Sequence, residues 1–148
     1  MQVNMKKTTR LMTVCSILML AFTSCDKTSV VGADELPKEA SMYLTQHFPA
    51  HEVTQVVKER DDMKTTYEVY LAEGYQLEFG KKGEIRSVEG VAKLPDSTVP
   101  APILDYVKTQ YPDMFVVSWE LDDRGQEVRL SNRMELKFDR NGNFLMID

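Results

Sequence analysis

The chain has 148 residues, 43% of them hydrophobic, and a formal net charge of −5, a length that suits one domain or two very small ones. The first 24 residues hold Lys6, Lys7 and Arg10 and no acid, so the remainder carries 15 basic against 23 acidic side chains, a net charge of −8. Phosphate neutralisation needs the opposite balance, which excludes nucleic acid and a polybasic grip on anionic lipid heads.

Met1 to Arg10 is polar and basic, and Leu11 to Phe22 is an apolar run. It is too short to span a bilayer core and suits the hydrophobic segment of an export signal. Thr23, Ser24 and Cys25 follow, then polar Asp26-Lys27-Thr28. Small residues just before a cysteine resemble the lipobox of bacterial lipoproteins, with Phe22 where that pattern usually has Leu. The resemblance implies a signal peptide over residues 1–24, cleavage before Cys25 and diacylation of its thiol. It implies a membrane-anchored protein of a Gram-negative envelope, in the periplasm or at the surface. Several acyl chains anchor stably where a single one does not. The alternative is an ordinary signal cut near Ala21, with Cys25 a free thiol. Cys15 leaves with the signal, so no pair remains for a disulfide and the fold must rest on packing. Residues 25–35 show no apolar period and are expected to be the lipidated cysteine and a flexible tether.

The rest of the chain reads as one unit used twice, over residues 36–90 and 99–148. An offset of 63 brings Pro37 onto Pro100, Tyr43 onto Tyr106 and Pro49 onto Pro112. After a four-residue deletion an offset of 59 brings Leu71 onto Leu130, Leu77 onto Leu136, Phe79 onto Phe138 and Gly83 onto Gly142. A unit of this size hardly buries its own apolar face, so two should share one core. Each unit opens with a helix: Pro37 and Pro100 suit a first turn, Ala40, Tyr43, Leu44 and Phe48 share a face, and Pro49 stops it. Ile103, Tyr106, Val107, Tyr111 and Pro112 repeat that pattern.

Four strands follow in each unit. Val53 to Glu59 and Phe115 to Leu121 are the first strands, and in the second of these Phe115, Val117, Trp119 and Leu121 are expected on one face. Tyr67, Val69 and Leu71 point inward, as do Tyr75, Leu77 and Phe79 after a hairpin link at Glu73-Gly74. Val128 and Leu130, then Met134, Leu136 and Phe138, are the counterparts. Gly80-Lys-Lys-Gly83 and Asp139-Arg-Asn-Gly142 are turns before the last strands. The fold class is therefore α+β: a tandem α-β(4) duplication, an antiparallel sheet with helices on one face and water on the other.

The segments Tyr67-Glu-Val-Tyr-Leu, Gly74 to Val88 and Met134 to Phe144 resemble the PepSY-like, β-lactamase-inhibitor-like family of exported bacterial proteins. The resemblance covers residues 36–148. It implies a two-layer fold, an envelope location and no established catalysis. Inhibitors of that architecture use disulfides, which this chain lacks, so β-lactamase inhibition is not carried over.

The open sheet face is the expected partner-binding surface, for an unidentified protein or peptide. Glu68, Tyr70, Glu78 and Arg86, with Gln76, should project there from the first unit, and Glu127, Arg129, Glu135 and Lys137 from the second. Tyrosine and arginine are enriched in binding hot spots. No catalytic residue, metal ligand or cofactor is expected. His47 and His51 have helical metal spacing, but Pro49 lies between them. One alternative is an envelope hydrolase using the paired acids Asp61-Asp62 and Asp122-Asp123. Another is calcium binding at Asp139-Arg-Asn141-Gly-Asn143, although the glycine is misplaced for a calcium loop and the twin turn at Gly80 lacks the acids.

Overall fold

The computed structural model describes residues 27–148, so the export signal and Cys25 lie outside the described residues. Among the described residues nine strands form one antiparallel sheet in chain order: β1 Lys27–Val31, β2 Val53–Arg60, β3 Thr65–Leu71, β4 Gln76–Gly80, β5 Ile85–Glu89, β6 Val116–Leu121, β7 Gln126–Leu130, β8 Glu135–Phe138 and β9 Phe144–Ile147. Helix α1 (Lys38–His47) precedes β2, and α2 (Ala101–Gln110) precedes β6. The fold is the expected duplicated α+β arrangement with one addition. Lys27–Val31, read from sequence as tether, is a strand paired with β2, Val31 opposite Val56. An edge strand needs only one partner, and Val30 and Val31 supply β-branched residues where β2 would otherwise leave a row of unpaired amides.

The core is built in rows across the sheet. Val31, Val56, Val69, Leu77, Val88, Trp119, Val128, Leu136 and Ile147 stand opposite one another in register from edge to edge. The seven between the edges are buried. Ala40, Leu44 and Phe48 of the first helical segment close over one half, and Ile103 and Val107 of α2 over the other. The two halves repeat their aromatic contacts. Tyr43 meets Phe79 edge-on at 5.7 Å, and Tyr106 meets Phe138 edge-on at 5.5 Å.

Four β-bulges keep that row apolar. Thr54 and Val117 are the extra residues in β2 and β6, and Arg86 and Leu145 those in β5 and β9. These pairs are separated by the same 63 and 59 positions that relate the two halves of the sequence. A bulge shifts the side-chain alternation by one. For that reason Val116 and Trp119 are buried together and Phe115 is 40% exposed, in place of the shared Phe115, Val117, Trp119 and Leu121 face. The β3–β4 link is likewise longer than the expected Glu73-Gly74 pair. It runs from Ala72 to Tyr75 through a 3-10 turn at Ala72–Gly74, closed by the Leu71 amide donating to the Tyr75 carbonyl, with Glu73 and Gly74 both at positive φ.

Each helix is seated on a turn glycine. A Cβ on Gly83 would stand 2.7 Å from the Ala40 nitrogen, and one on Gly142 2.9 Å from the Pro102 Cβ. Both have φ near +90° (92° and 85°), which glycine adopts without a steric cost. The turn backbone therefore meets the helix start directly in both halves, against the Ala40 nitrogen in the first and the Pro102 side chain in the second.

One buried polar link has no twin. Gln126 accepts a hydrogen bond from Trp119 Nε1 at 3.0 Å, and its amide nitrogen donates to the Asp139 and Arg140 carbonyls. Its counterpart in the first half is Tyr67. Gln126→Leu strands a buried indole N–H, a loss of about 1–3 kcal/mol. Urea unfolding followed by Trp119 fluorescence is expected to show a lower midpoint with an unchanged slope.

Candidate functional site

The face opposite the helices carries a second set of rows. One runs Val30, Val57, Glu68, Glu78, Ser87, Glu120, Glu127, Lys137, Met146. The next runs Gln55, Tyr70, Gln76, Glu89, Ser118, Arg129, Glu135. Seven of the eight expected site residues fall in these rows. Arg86 does not: it is the bulged residue of β5, and its guanidinium turns to Glu84 in the β4–β5 turn at 3.3 Å. The rows also hold Ser87, Glu89, Ser118 and Glu120, which the sequence reading left out. The bulge at Arg86 sets the phase of Ser87 and Glu89, and no residue type announces a bulge; Ser118 and Glu120 follow from the inward Trp119 between them.

The two rows together present six glutamates, Glu68, Glu78, Glu89, Glu120, Glu127 and Glu135, against Arg129 and Lys137. Glu68 stands directly opposite Glu78, and Glu120 directly opposite Glu127. Like charges facing each other across strands oppose sheet formation. The surface offsets this in three ways. The Tyr70 hydroxyl donates to Glu68 Oε2 at 2.7 Å. Arg129 pairs with Glu89, and Lys137 with Asp148 and, at 3.9 Å, with Glu127. Lys64 reaches Glu78 at 3.5 Å. The bond to Glu68 raises the Tyr70 hydroxyl pKa, helped by partial burial and by the Glu68 and Glu59 charges. A cavity of about 290 Å³ opens at the second-half end of this face, with Glu120, Glu127 and Lys137 in its wall.

The other candidate groups are held by their own turns. Asp61 accepts the amides of Met63 and Lys64, and Asp122 those of Arg124 and Gly125. Those bonds hold both carboxyls below the usual carboxylate range, the wrong direction for a general acid. The two hairpin tips lie four strand spacings apart, ~19 Å, so the acid pairs do not converge. Asp139 accepts the amides of Asn141 and Asn143 and the Asn143 side-chain amide, which lowers its pKa. His47 Nδ1 meets Ser97 at 2.8 Å and His51 meets Glu73 at 3.1 Å, so the two histidines serve separate contacts. Among the described residues no cluster of three or more His, Cys, Asp or Glu side chains has metal-holding geometry, and no helix is long and apolar enough to cross a membrane.

The twin turns solve one problem from opposite arms. In the first half the residue matching Asp139 is Gly80, and the Glu84 carboxylate fills the space a Gly80 Cβ would take, 2.2 Å away. Glu84 Oε2 accepts the Lys82 amide, the counterpart of the Asn141 amide that Asp139 accepts. An acid at a fixed place in the turn, and not a fixed sequence position, is what the turn amide requires.

Glu127 shows the strain of the acidic face. Burial raises its pKa, the neighbouring Glu135 adds to the rise and Lys137 opposes it. A carboxyl whose folded-state pKa is raised costs stability above that pKa, and the cost disappears below its unfolded value. Glu127→Gln is therefore expected to raise the melting temperature at pH 7. The gain should fade as the pH falls through about 4, the ordinary glutamate range. Paired melts of the two chains at pH 7 and pH 3.5 check this.

Comparison with known proteins agrees with the geometry. The family described as "Putative beta-lactamase-inhibitor-like, PepSY-like" matches residues 22–66 and 65–146. A crystal structure from Bacteroides thetaiotaomicron, described as a putative calcium-regulated periplasmic protein, is 37% identical. The match covers 82% of this chain and 96% of that one, with a TM-score of 0.78. A putative periplasmic protein of the DUF2874 family from Bacteroides vulgatus is 35% identical over 84% and 99% of the two chains, with a TM-score of 0.79. A second B. vulgatus periplasmic protein of unknown function is 31% identical over 82% and 99%, with a TM-score of 0.78. None of the curated proteins matches the chain. The duplicated helix-and-hairpin architecture, the family match and these neighbours together make the chain a member of the PepSY-like family.

Proposed function

We propose that the chain is a non-catalytic, lipid-anchored envelope protein whose acidic open sheet face binds a basic protein or extended peptide, with an inhibitory or regulatory outcome. The observation that carries this reading is the pair of outward rows, six glutamates against Arg129 and Lys137, with Tyr70 at hand as an aromatic anchor. A face that is net negative attracts a positive partner at long range and rejects negative ones. The periplasmic description of the neighbours supports an envelope location. Lipid attachment rests on the residues around Cys25.

The topology is compatible with such an anchor. Strand β1 begins at Lys27, opposite Arg60. Cys25 precedes it by two residues, a reach of ~7 Å. A lipid there would hold the sheet end that carries the Asp61, Lys82, Asp122 and Asn141 turns close to the bilayer, leaving the open face accessible from the side.

Charge reversal tests the binding face. In cells, crosslinking of the intact chain is expected to recover a basic envelope partner, and Glu78→Lys/Glu120→Lys to lose it by tenfold or more while the chain remains folded. Palmitate labelling run alongside should disappear in Cys25→Ala. Undiminished recovery from the charge-reversed chain would remove this face.

A divalent cation is the second reading, favoured by the description of the B. thetaiotaomicron neighbour as calcium-regulated. Its place would be the facing pair Glu120 and Glu127, with water completing the shell, because the Asp139 carboxylate is already occupied by its own turn. Calorimetric titration of metal-free protein with calcium chloride should release heat that Glu120→Gln/Glu127→Gln abolishes. A flat trace ends this reading.

A further inference from the structure

We propose that strand β1 is a cap, seated on the β2 edge where strand β9 of a second copy would otherwise dock. The chain already contains the joint in question. Its two halves meet where β5, the last strand of the first, pairs with β6, the first strand of the second: Ser87 opposite Glu120, Val88 opposite Trp119, Glu89 opposite Ser118. The counterparts of Trp119 and Glu120, 63 positions earlier, are Val56 and Val57 of β2. Those two residues are covered by Val31 and Val30 of β1, in the same antiparallel sense and register. So β1 occupies for β2 the place that β5 occupies for β6.

The strand equivalent to β5 in the second half is β9, at the far edge of the sheet. Its Met146, Ile147 and Asp148 match Ser87, Val88 and Glu89, 59 positions on. Nothing is paired along its outer side among the described residues. A β9 strand laid on a second copy's β2 in the β5–β6 register would set Ile147 against Val56 and Met146 against Val57. The side chains suit this. The only apolar members of the long outward row stand at its two ends, Val30 and Val57 at one and Met146 at the other. Leu145, Met146 and Ile147 are 58%, 52% and 50% exposed, with no charge or proline in Phe144–Ile147 to blunt the edge. The contact is head to tail, so each docked copy offers its own free β9 and the series continues into a filament or a ring. Strand β1 stops it by holding the acceptor edge. It is also the least buried strand along its length, with Val30 70% exposed and only Val31 partly covered, so it opens at low cost.

The test uses the intact chain with both native cysteines, Cys15 and Cys25, changed to Ser. Sedimentation should show a monomer. Val31→Asp, which loosens β1, should produce a concentration-dependent series of larger species. Adding Met146→Glu, which faces Val57 and its neighbour Glu68 in the docked register, should return the monomer. A disulfide between Met146→Cys and Val57→Cys should form between molecules and not within one, since β2 and β9 lie seven strand spacings apart, ~34 Å. A second arm needs no loosened strand. In the Met146→Cys/Val57→Cys chain at millimolar concentration, a β1 lock made by Ser29→Cys/Lys58→Cys should suppress the intermolecular bond at least tenfold. A folded Val31→Asp chain that stays monomeric, assemblies indifferent to Met146→Glu, or crosslinking unchanged by the lock would each overturn the proposal.

Discussion

The sheet depends on one line of side chains that crosses all nine strands without a polar interruption. From Val31 to Ile147 every member of that row is apolar, and each interior member is buried. Burying a side chain of this size contributes about 1.5–3 kcal/mol. Strands four to eight residues long could not hold such a line by strict alternation, because the turns on either side demand particular lengths. The bulges at Thr54, Arg86, Val117 and Leu145 absorb the mismatch. They let each strand leave its turn in whatever phase the turn dictates and still meet the row.

The same register dictates the opposite face. Because side chains alternate, aligning the apolar row aligns its neighbours too, and glutamate is the commonest residue so aligned, at Glu68, Glu78, Glu89, Glu120, Glu127 and Glu135. Glu68 facing Glu78 and Glu120 facing Glu127 is an arrangement that packing alone would not select. Tyr70, Arg129 and Lys137 moderate it without neutralising it. A fold that accepts repulsion on an open face presents a net negative surface, and the proposed binding role rests on that feature. The turns follow a different logic. Asp61, Asp122, Asp139 and Glu84 are acids with structural work, each bonded to turn amides. They contribute to the negative balance of the chain without being free for chemistry.

Much of this was legible in the sequence. The pairs Leu77/Leu136 and Phe79/Phe138 gave the duplication, and the helices lie where Pro37, Pro49, Pro100 and Pro112 imply. Alternation placed Glu68, Tyr70, Glu127, Arg129, Glu135 and Lys137 on one face because β3, β7 and β8 run without interruption between turns. It failed where a bulge intervened: Phe115 is 40% exposed, Arg86 leaves the rows and Glu89 enters them. Strand β1 was hidden for another reason. Lys-Thr-Ser-Val-Val has no amphipathic period of its own, and its pairing is dictated by the unpaired edge of β2, a long-range condition that a local reading does not register. The same holds for the acid in the twin turns, which comes from position 84 in one and 139 in the other.

The claim on which the functional account rests is that the glutamate rows, and not the helices or the turn tips, meet the partner. Amide chemical shifts of the mature chain, recorded while a lysine- and arginine-rich peptide is added, address it directly. The account predicts shifts concentrated on the residues flanking Glu68, Glu78, Glu120 and Glu127, strong at low salt and lost near 0.5 M salt as screening shortens the reach of the charges. Shifts centred on α1 and α2, or a spectrum that does not respond at any ionic strength, would contradict it.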